Sequence, residues 1–208
     1  MTDSKFNLES LKKAFDDLSD HGFAVVDNLW PVDCSQYWER HLLKLKNKQA
    51  FQPAGIGQKQ NLHIQSEIRS DSIKWLDFND FTEQQVQQDL EFLKQQLNQN
   101  FYLNLNTFEA HWALYAKGSR YQTHVDAPPG SSRKITLIHY LNHHWDETQG
   151  GHLKIYSPQT DPPLCLEKVA PIWGRSVIFR SEVFPHEVEL CLGSRQSLVV
   201  WFRNDALY

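Results

Sequence analysis

The chain has 208 residues, of which 40% are hydrophobic and 22% are charged; this composition is typical of a globular protein with one full core. Its formal net charge of −4 argues against a nucleic-acid partner held by phosphate contacts. The start has no apolar segment of a signal peptide, and no apolar run approaches the ~18 residues of a membrane helix. Three widely spaced cysteines indicate reduced thiols, so we expect a cytoplasmic protein without membrane association.

Helix patterns dominate the first hundred residues. Apolar residues at helical spacing predict three helices, at residues 7–22, 32–47 and 81–100. Residues 23–29 are typical of a strand, and residues 50–62 contain two glycines and one proline, which predicts a loop. Residues 1–100 are therefore expected to form a helical support region.

Strand patterns dominate residues 101–205. Short β-rich runs separated by turn residues begin at "FYLNL" (101–105) and end at "SLVVWF" (197–202). Eight or nine such strands predict a sandwich, jelly roll or barrel. Because the helices precede the strands, we expect an α+β fold in which the helices brace one sheet.

Two polar residues stand at the end of one predicted strand. In "YQTHVD", His124 and Asp126 are two residues apart, so a strand directs both side chains to one face. His186, in "FPHEV", is the candidate for a third ligand. Two histidines and one carboxylate form the facial triad of non-haem Fe(II) oxygenases, which leaves metal positions open for a bidentate cosubstrate and O₂. On spacing alone His-x-Asp is a weak signal, and a solvated turn is the alternative.

Arg195 begins the predicted strand "RQSLVVWF", in which Ser197 and Trp201 share its face. An arginine that points into an apolar core is costly unless an anion meets it. A planar guanidinium can hold a carboxylate through two hydrogen bonds, and the hydroxyl of Tyr140 could donate to the same carboxylate. The alternative for Arg195 is an internal salt bridge with Asp or Glu.

The order of these motifs resembles that of a known family. His-x-Asp is followed by "ITLIHYLN", "GGHLKIY", "FPHEV" and Arg195. This order is similar to that of 2-oxoglutarate- and Fe(II)-dependent dioxygenases of the prolyl 4-hydroxylase type, in particular the oxygen-sensing prolyl hydroxylases and their bacterial counterparts. The stretch "IRSDSIKWLD" (68–77) resembles the segment before the family's core.

The resemblance implies a double-stranded β-helix, or jelly roll, of about eight strands. It implies that Fe(II) is held by His124, Asp126 and His186. It also implies that Arg195 pairs with the distal carboxylate of 2-oxoglutarate, with Tyr140 donating a hydrogen bond. Further site residues implied by the family are Tyr115 and Thr136, at the cosubstrate, and Arg133 and Trp201, at the substrate-facing mouth.

The implied activity is hydroxylation of a prolyl residue in a protein, with O₂ and 2-oxoglutarate consumed, succinate and CO₂ released, and ascorbate as the reductant. In the family, the loop matching residues 50–62 covers the substrate; here its sequence differs from the animal enzymes, and "AGIGQ" resembles the bacterial form. Three alternatives stay open. They are an oxygenase of another branch that acts on a non-prolyl or nucleic-acid substrate, a cupin-like enzyme that needs only the metal, and a non-catalytic iron-binding sensor.

Overall fold

A computed structural model describes residues 6–55 and 65–205. The helices in these residues are α1 (Leu8–His21), α2 (Val32–Asn47) and α3 (Phe81–Phe101). The strands are β1 (Phe23–Asp27), β2 (Gln52–Pro53), β3 (Ser72–Trp75), β4 (Thr107–Tyr115), β5 (Tyr121–His124), β6 (Arg133–Tyr140), β7 (Leu153–Tyr156), β8 (Cys165–Val169), β9 (Arg175–Arg180), β10 (His186–Val188) and β11 (Arg195–Arg203). None of the described helices is long and apolar enough to cross a membrane.

All three predicted helices are confirmed to within one residue at each end. The side chain of Asn7 caps α1 by accepting hydrogen bonds from two backbone N–H groups of the first turn, and Gly22 ends the helix in a left-handed conformation at φ 78°. The side chain of Asp80 caps α3 in the same way. These caps satisfy backbone groups that have no partner inside the helix.

The predicted strand at residues 101–105 is wrong. Phe101 is the last residue of α3, and Tyr102 and Asn104 both have positive φ, at 53°. Two left-handed residues so close together cannot continue a strand. The side chain of Asn98 closes the turn, because it both donates to the backbone carbonyl of Leu105 and accepts from its N–H.

The predicted loop at 50–62 is described only in part. Gln52 and Pro53 form the short strand β2, and residues 56–62 lie outside the described residues. β2 pairs with β3, which in turn pairs with β4. Together with β1, these strands bring the first hundred residues into the same sheet as the later strands, so hydrogen bonding crosses the predicted boundary at residue 100.

The strands form two antiparallel sheets. The major sheet has the order β1-β9-β6-β11-β4-β3-β2, and the minor sheet has the order β5-β10-β7-β8. Strands β4 to β11 divide equally between the two sheets, which is the eight-stranded jelly roll that was predicted. Strands β1 to β3 extend the major sheet at its two ends.

The helices cover one face of the major sheet, and the minor sheet lies opposite the other face. On β11, Leu198, Val200 and Phe202 belong to the large apolar core beneath the helices. Because side chains alternate along a strand, Arg195 and Trp201 point the other way, towards the space between the sheets. The candidate site lies in that space.

Glu83 joins the helices to the major sheet. Its fully buried carboxylate accepts hydrogen bonds from His41 Nε2 at 3.0 Å, Trp112 Nε1 at 2.8 Å and Lys74 Nζ at 3.1 Å, and from the backbone N–H of Asp77. Burial opposes ionisation, but these donors outweigh it and lower the pKa of Glu83 to about 2. One charge therefore connects α2, α3, β3 and β4.

Candidate metal and cosubstrate site

His124, Asp126 and His186 come together at one end of the space between the sheets. His124 ends β5 and lies opposite His186, the first residue of β10, while Asp126 follows β5 by two residues. One possible ligand atom from each side chain lies within 4.8 Å of the others. Nε2 of His124 is 3.5 Å from Asp126 Oδ1, and Nε2 of His186 is 3.5 Å from Asp126 Oδ2.

Both imidazoles are oriented by their second nitrogen. Nδ1 of His124 is 2.8 Å from the carbonyl oxygen of Gln122, and Nδ1 of His186 is 3.0 Å from that of Phe184. A carbonyl only accepts, so each Nδ1 carries the proton and each Nε2 presents a lone pair. Burial and the neighbouring His124 lower the pKa of His186 to about 4, which keeps this ring neutral at pH 7.

The carboxylate of Asp126 is held from the opposite sheet. Thr136 on β6 donates from its hydroxyl to Asp126 Oδ2 at 2.8 Å, and the same hydroxyl lies 2.8 Å from that of Ser181. Burial opposes ionisation, but His186 and His124 outweigh it and hold the pKa of Asp126 well below its ordinary value. The group therefore offers a charged carboxylate oxygen beside two imidazole nitrogens.

Arg195 is 2% exposed and lies between two tyrosine rings. Its guanidinium carbon is 4.8 Å from the centre of the Tyr115 ring and 4.9 Å from that of Tyr140. Nη2 donates to the Tyr140 hydroxyl at 3.3 Å, while Nε has no hydrogen-bond partner in the described part of the chain. Within residues 6–55 and 65–205 no carboxylate forms an ion pair with Arg195, which speaks against the internal salt bridge.

Two connected cavities give access to these residues. The inner cavity is lined by the three candidate metal ligands and by Arg195. The outer cavity has a volume of about 490 Å³ and is lined in part by Trp75, Arg133 and Trp201. His124, Asp126 and Trp201 border both cavities. The guanidinium carbon of Arg133 lies 3.6 Å from the centre of a Trp201 ring, so this pair forms one wall of the outer cavity.

The remaining predicted site residues occupy different places. Tyr115 and Tyr140 flank Arg195, as described above, whereas the contacts of Thr136 are with Asp126 and Ser181. The structure therefore places the Thr136 hydroxyl against the candidate metal carboxylate. Its predicted role at the cosubstrate stays a prediction.

The sequence reasoning missed two polar residues on the same face of the major sheet. His111 on β4 lies between Trp75 and Trp201, at 5.0 and 4.9 Å between ring centres, and its Nδ1 has no hydrogen-bond partner within residues 6–55 and 65–205. Ser197 on β11 is fully buried, and its hydroxyl also has no partner among the described residues. The available signal was strand alternation, which puts His111 on the face of Tyr115 and Ser197 on the face of Arg195.

The family comparison covers the part of the chain that contains this site. Residues 110–203 match the 2OG-Fe(II) oxygenase superfamily. That stretch includes His124, Asp126, His186 and Arg195. The part of the chain that contains the candidate site is therefore similar to that superfamily.

Two curated relatives of this chain are prolyl hydroxylases by name. The hypoxia-inducible factor prolyl hydroxylase of Caenorhabditis elegans is 29% identical over 205 residues, which cover 91% of this chain and 27% of the relative. Human prolyl hydroxylase EGLN3 is 38% identical over 87 residues, which cover 41% of this chain and 35% of the relative. The chain thus spans between about a quarter and about a third of the length of these relatives.

A solved structure matches nearly the whole chain. The crystal structure of a Pseudomonas putida prolyl-4-hydroxylase is 28% identical to it, with a TM-score of 0.80, and the match covers 92% of this chain and 97% of that chain. This similarity supports the jelly roll assigned above.

Similarity to the superfamily points to Fe(II) and 2-oxoglutarate, and the residues present fit both. Two imidazole nitrogens and one carboxylate oxygen are the donor set that suits non-haem Fe(II). A buried guanidinium without a carboxylate partner in the described chain suits the distal carboxylate of 2-oxoglutarate. Both features open onto the same inner cavity.

Proposed function

We propose that the chain is a 2-oxoglutarate- and Fe(II)-dependent dioxygenase that hydroxylates a prolyl residue in a protein. The observation that carries the proposal is the convergence of His124, Asp126 and His186 within 4.8 Å, in the cavity that also contains Arg195. The prolyl target is supported by relatives that are named prolyl hydroxylases and that match most of the chain.

When bound, Fe(II) with 2-oxoglutarate supplies the activation of O₂, which ends in succinate, CO₂ and one oxygen atom inserted into a C–H bond. The chain's own residues prepare the place for this chemistry. His124 and His186 direct imidazole nitrogens to one point, and Asp126 directs a carboxylate to it. Because the Asp126 carboxylate would occupy the third coordination position that the protein offers to the metal, a halide ion cannot bind there. This arrangement favours hydroxylation over halogenation.

Arg195 orients the cosubstrate. Its guanidinium forms hydrogen bonds with the distal carboxylate, and the Tyr140 hydroxyl donates to the same group. The rings of Tyr115 and Tyr140 lie against the guanidinium at under 5 Å and exclude water from it. A charge-assisted pair is stronger in such a dry environment than in solvent.

The outer cavity admits the substrate. Trp75, Arg133 and Trp201 line it together with Gln52, Pro53 and Gly55 of the predicted substrate-side loop. The aromatic walls suit an apolar ring such as that of proline, and residues on loops commonly carry recognition. Within this proposal, ascorbate acts as the reductant that returns the metal to the Fe(II) state.

One observation favours a second candidate, an oxygenase that acts on nucleic acid. Arg69, Lys74 and Arg133 line the outer cavity beside aromatic rings, and a basic aromatic groove is typical of nucleic-acid binding. Each of these cations already has a carboxylate partner, at 2.7, 3.1 and 2.8 Å respectively. With the net charge of −4, this pairing leaves little positive charge for phosphates, so we favour a protein substrate.

The test incubates the protein with cell lysate, Fe(II), ascorbate and 2-oxoglutarate, followed by mass spectrometry of the lysate proteins. We expect prolyl residues that gain one oxygen atom, only with 2-oxoglutarate present and not with the Asp126→Ala variant. Oxidised nucleobases in place of oxidised proteins would favour the second candidate. Binding of 2-oxoglutarate without any succinate release would favour the iron-binding sensor.

A further inference from the structure

A column of stacked groups lies behind one of the two candidate metal-ligating imidazoles. The ring of Tyr121 stacks on His124 with 3.6 Å between ring centres and 14° between ring planes. The guanidinium carbon of Arg69 lies 4.7 Å from the centre of the same tyrosine ring. Since the imidazole occupies one face of the phenol ring, the guanidinium lies towards the other.

The outer end of this column is anchored. Arg69 donates two hydrogen bonds to Asp71, at 2.7 and 3.0 Å, and these residues are 8% and 1% exposed. The backbone of Arg69 also pairs with that of Tyr121, and Gln122 N–H donates to the carbonyl of Ile68 at 2.9 Å. The segment before β3 is therefore fixed against β5, the strand that carries His124.

The two imidazoles differ in their need for such support. The side chain of His186 is 4% exposed, and Phe179 on the major sheet packs against it at 4.7 Å between ring centres. The side chain of His124 is 18% exposed and borders the outer cavity. Its hydrogen bond to the carbonyl of Gln122 restrains the ring mainly within its own plane. The stack on Tyr121 is the face-to-face contact that opposes tilting, and the inclined His186 ring touches His124 at 4.3 Å between ring centres.

We propose that Tyr121 is a positioning residue for His124, and that the Arg69–Asp71 pair fixes Tyr121 in turn. The column keeps the His124 ring at the tilt that directs Nε2 towards the point shared with Asp126 and His186. The chain thereby binds its metal more tightly than the three ligands alone would allow. This inference rests on the metal site of the proposed function.

The test compares Tyr121→Leu with Tyr121→Phe in the full chain, by calorimetric titration with Mn(II) as a redox-stable probe of the site. Loss of the ring is expected to weaken Mn(II) binding by about 10-fold or more, the usual effect of removing a partner of a metal-ligating histidine. Tyr121→Phe keeps the ring and is expected to bind Mn(II) as the unchanged chain does. The visible absorption of the protein with Fe(II) and 2-oxoglutarate under anaerobic conditions should shift in Tyr121→Leu only.

Tyr156→Leu is the matched control. Tyr156 is also a partly buried tyrosine of the minor sheet, but its hydroxyl donates to Glu187 and it does not contact the candidate ligands. We expect Tyr156→Leu to lower the melting temperature without changing Mn(II) affinity. A merely structural role for Tyr121 predicts the same result for Tyr121→Leu, and that outcome would overturn the inference.

Two further outcomes of the Mn(II) titration can be distinguished from each other. If the unchanged chain fails to bind Mn(II) or Fe(II), the metal site of the proposed function is wrong, and the inference is overturned with it. If Tyr121→Leu does not fold, the double variant Arg69→Met/Asp71→Asn removes the anchor without leaving one buried charge unpaired. It should weaken Mn(II) binding several-fold, and unchanged binding in this folded variant would overturn the inference.

Discussion

The two faces of the major sheet differ in how far their buried polar groups are satisfied by hydrogen bonds. On the helix face, the Glu83 carboxylate has four hydrogen-bond donors. On the cavity face, Arg195 Nε, Ser197 Oγ and His111 Nδ1 have none, and they make up three of the eight such buried atoms in residues 6–55 and 65–205. An unsatisfied buried polar group costs about 1–3 kcal/mol. The hydrogen-bonded carboxylate on the helix face therefore stabilises the fold. The unpaired polar atoms on the cavity face are available to bind ligands.

The largest expected effect comes from Asp126→Ala on the cavity face. Turnover of 2-oxoglutarate should fall by at least about 100-fold. Changes to the partners of metal ligands already lower activity by up to about 100-fold, and Asp126→Ala removes the ligand itself. The fold should stay largely intact with a somewhat lower melting temperature, because the hydrogen bond from Thr136 and the favourable contacts of the carboxylate with the two imidazoles are lost. Succinate release and thermal unfolding measure the two results. Coupled turnover at the original rate would contradict the assignment of Asp126 as a ligand.

Arg195→Ala tests the cosubstrate end of the same face. Loss of a buried charge-assisted pair costs about 2–5 kcal/mol, so the affinity for 2-oxoglutarate should fall by roughly 30-fold or more. Arg175→Ala is the matched control, because Arg175 on β9 pairs with Asp27 away from the cavity. Equilibrium binding of 2-oxoglutarate is the measurement, and equal affinities for the two variants would rule out the predicted role of Arg195.

Glu83→Gln tests the helix face and should show the reverse pattern. Breaking a buried ion pair costs about 3 kcal/mol or more, so the free energy of unfolding should fall while 2-oxoglutarate affinity stays the same. The pKa of Glu83 is lowered from 4.5 to about 2, so its stabilisation is present above the unfolded value and is lost as the pH falls through the folded one. Denaturant unfolding between pH 5 and 2 should show a weaker pH dependence in the variant. A large loss of 2-oxoglutarate affinity would instead mean that the two faces are coupled.

The smallest effect is expected from Ser197→Ala. The hydroxyl has no protein partner in the described chain, so its removal should leave the free energy of unfolding unchanged or slightly higher. If the hydroxyl donates to the bound cosubstrate, the affinity for 2-oxoglutarate should fall by about 1 kcal/mol, or roughly fivefold. Binding measured beside thermal unfolding separates the two effects, and an unchanged affinity would remove Ser197 from the site.

Local patterns were enough to predict the helices, the strand-rich half and the ligand candidates. Leu8 to His21 formed as expected because apolar spacing and both caps agree. The same rules failed at Tyr102. The β-type composition predicted a strand, but the chain forms a left-handed turn that the Asn98 side chain closes. The partners of Glu83 could not be predicted, because His41, Lys74 and Trp112 are distant in the chain and meet only through packing.

The candidate site was likewise predictable from the sequence only in part. The sequence predicted that His124, Asp126, His186 and Arg195 share one pocket, and strand alternation explains why that was possible. The support of His124 by Tyr121 and Arg69 was not visible, because it depends on how the segment before β3 lies across β5. The cytoplasmic location expected from the cysteine pattern stays a prediction.

The central position of β11 has a consequence for how chains of this kind can vary in length. β11 pairs along its whole length with β4 on one side, and from Ser197 onwards with β6 on the other. Inserting a single residue between Arg195 and Ser197, with the rest of the strand held in register, would turn Arg195 away from the cavity and towards the helices. A two-residue insertion would restore the alternation but displace the guanidinium by about 7 Å along the strand. Insertions and deletions should therefore be confined to the connections between strands, and β11 should keep its length in any active homologue.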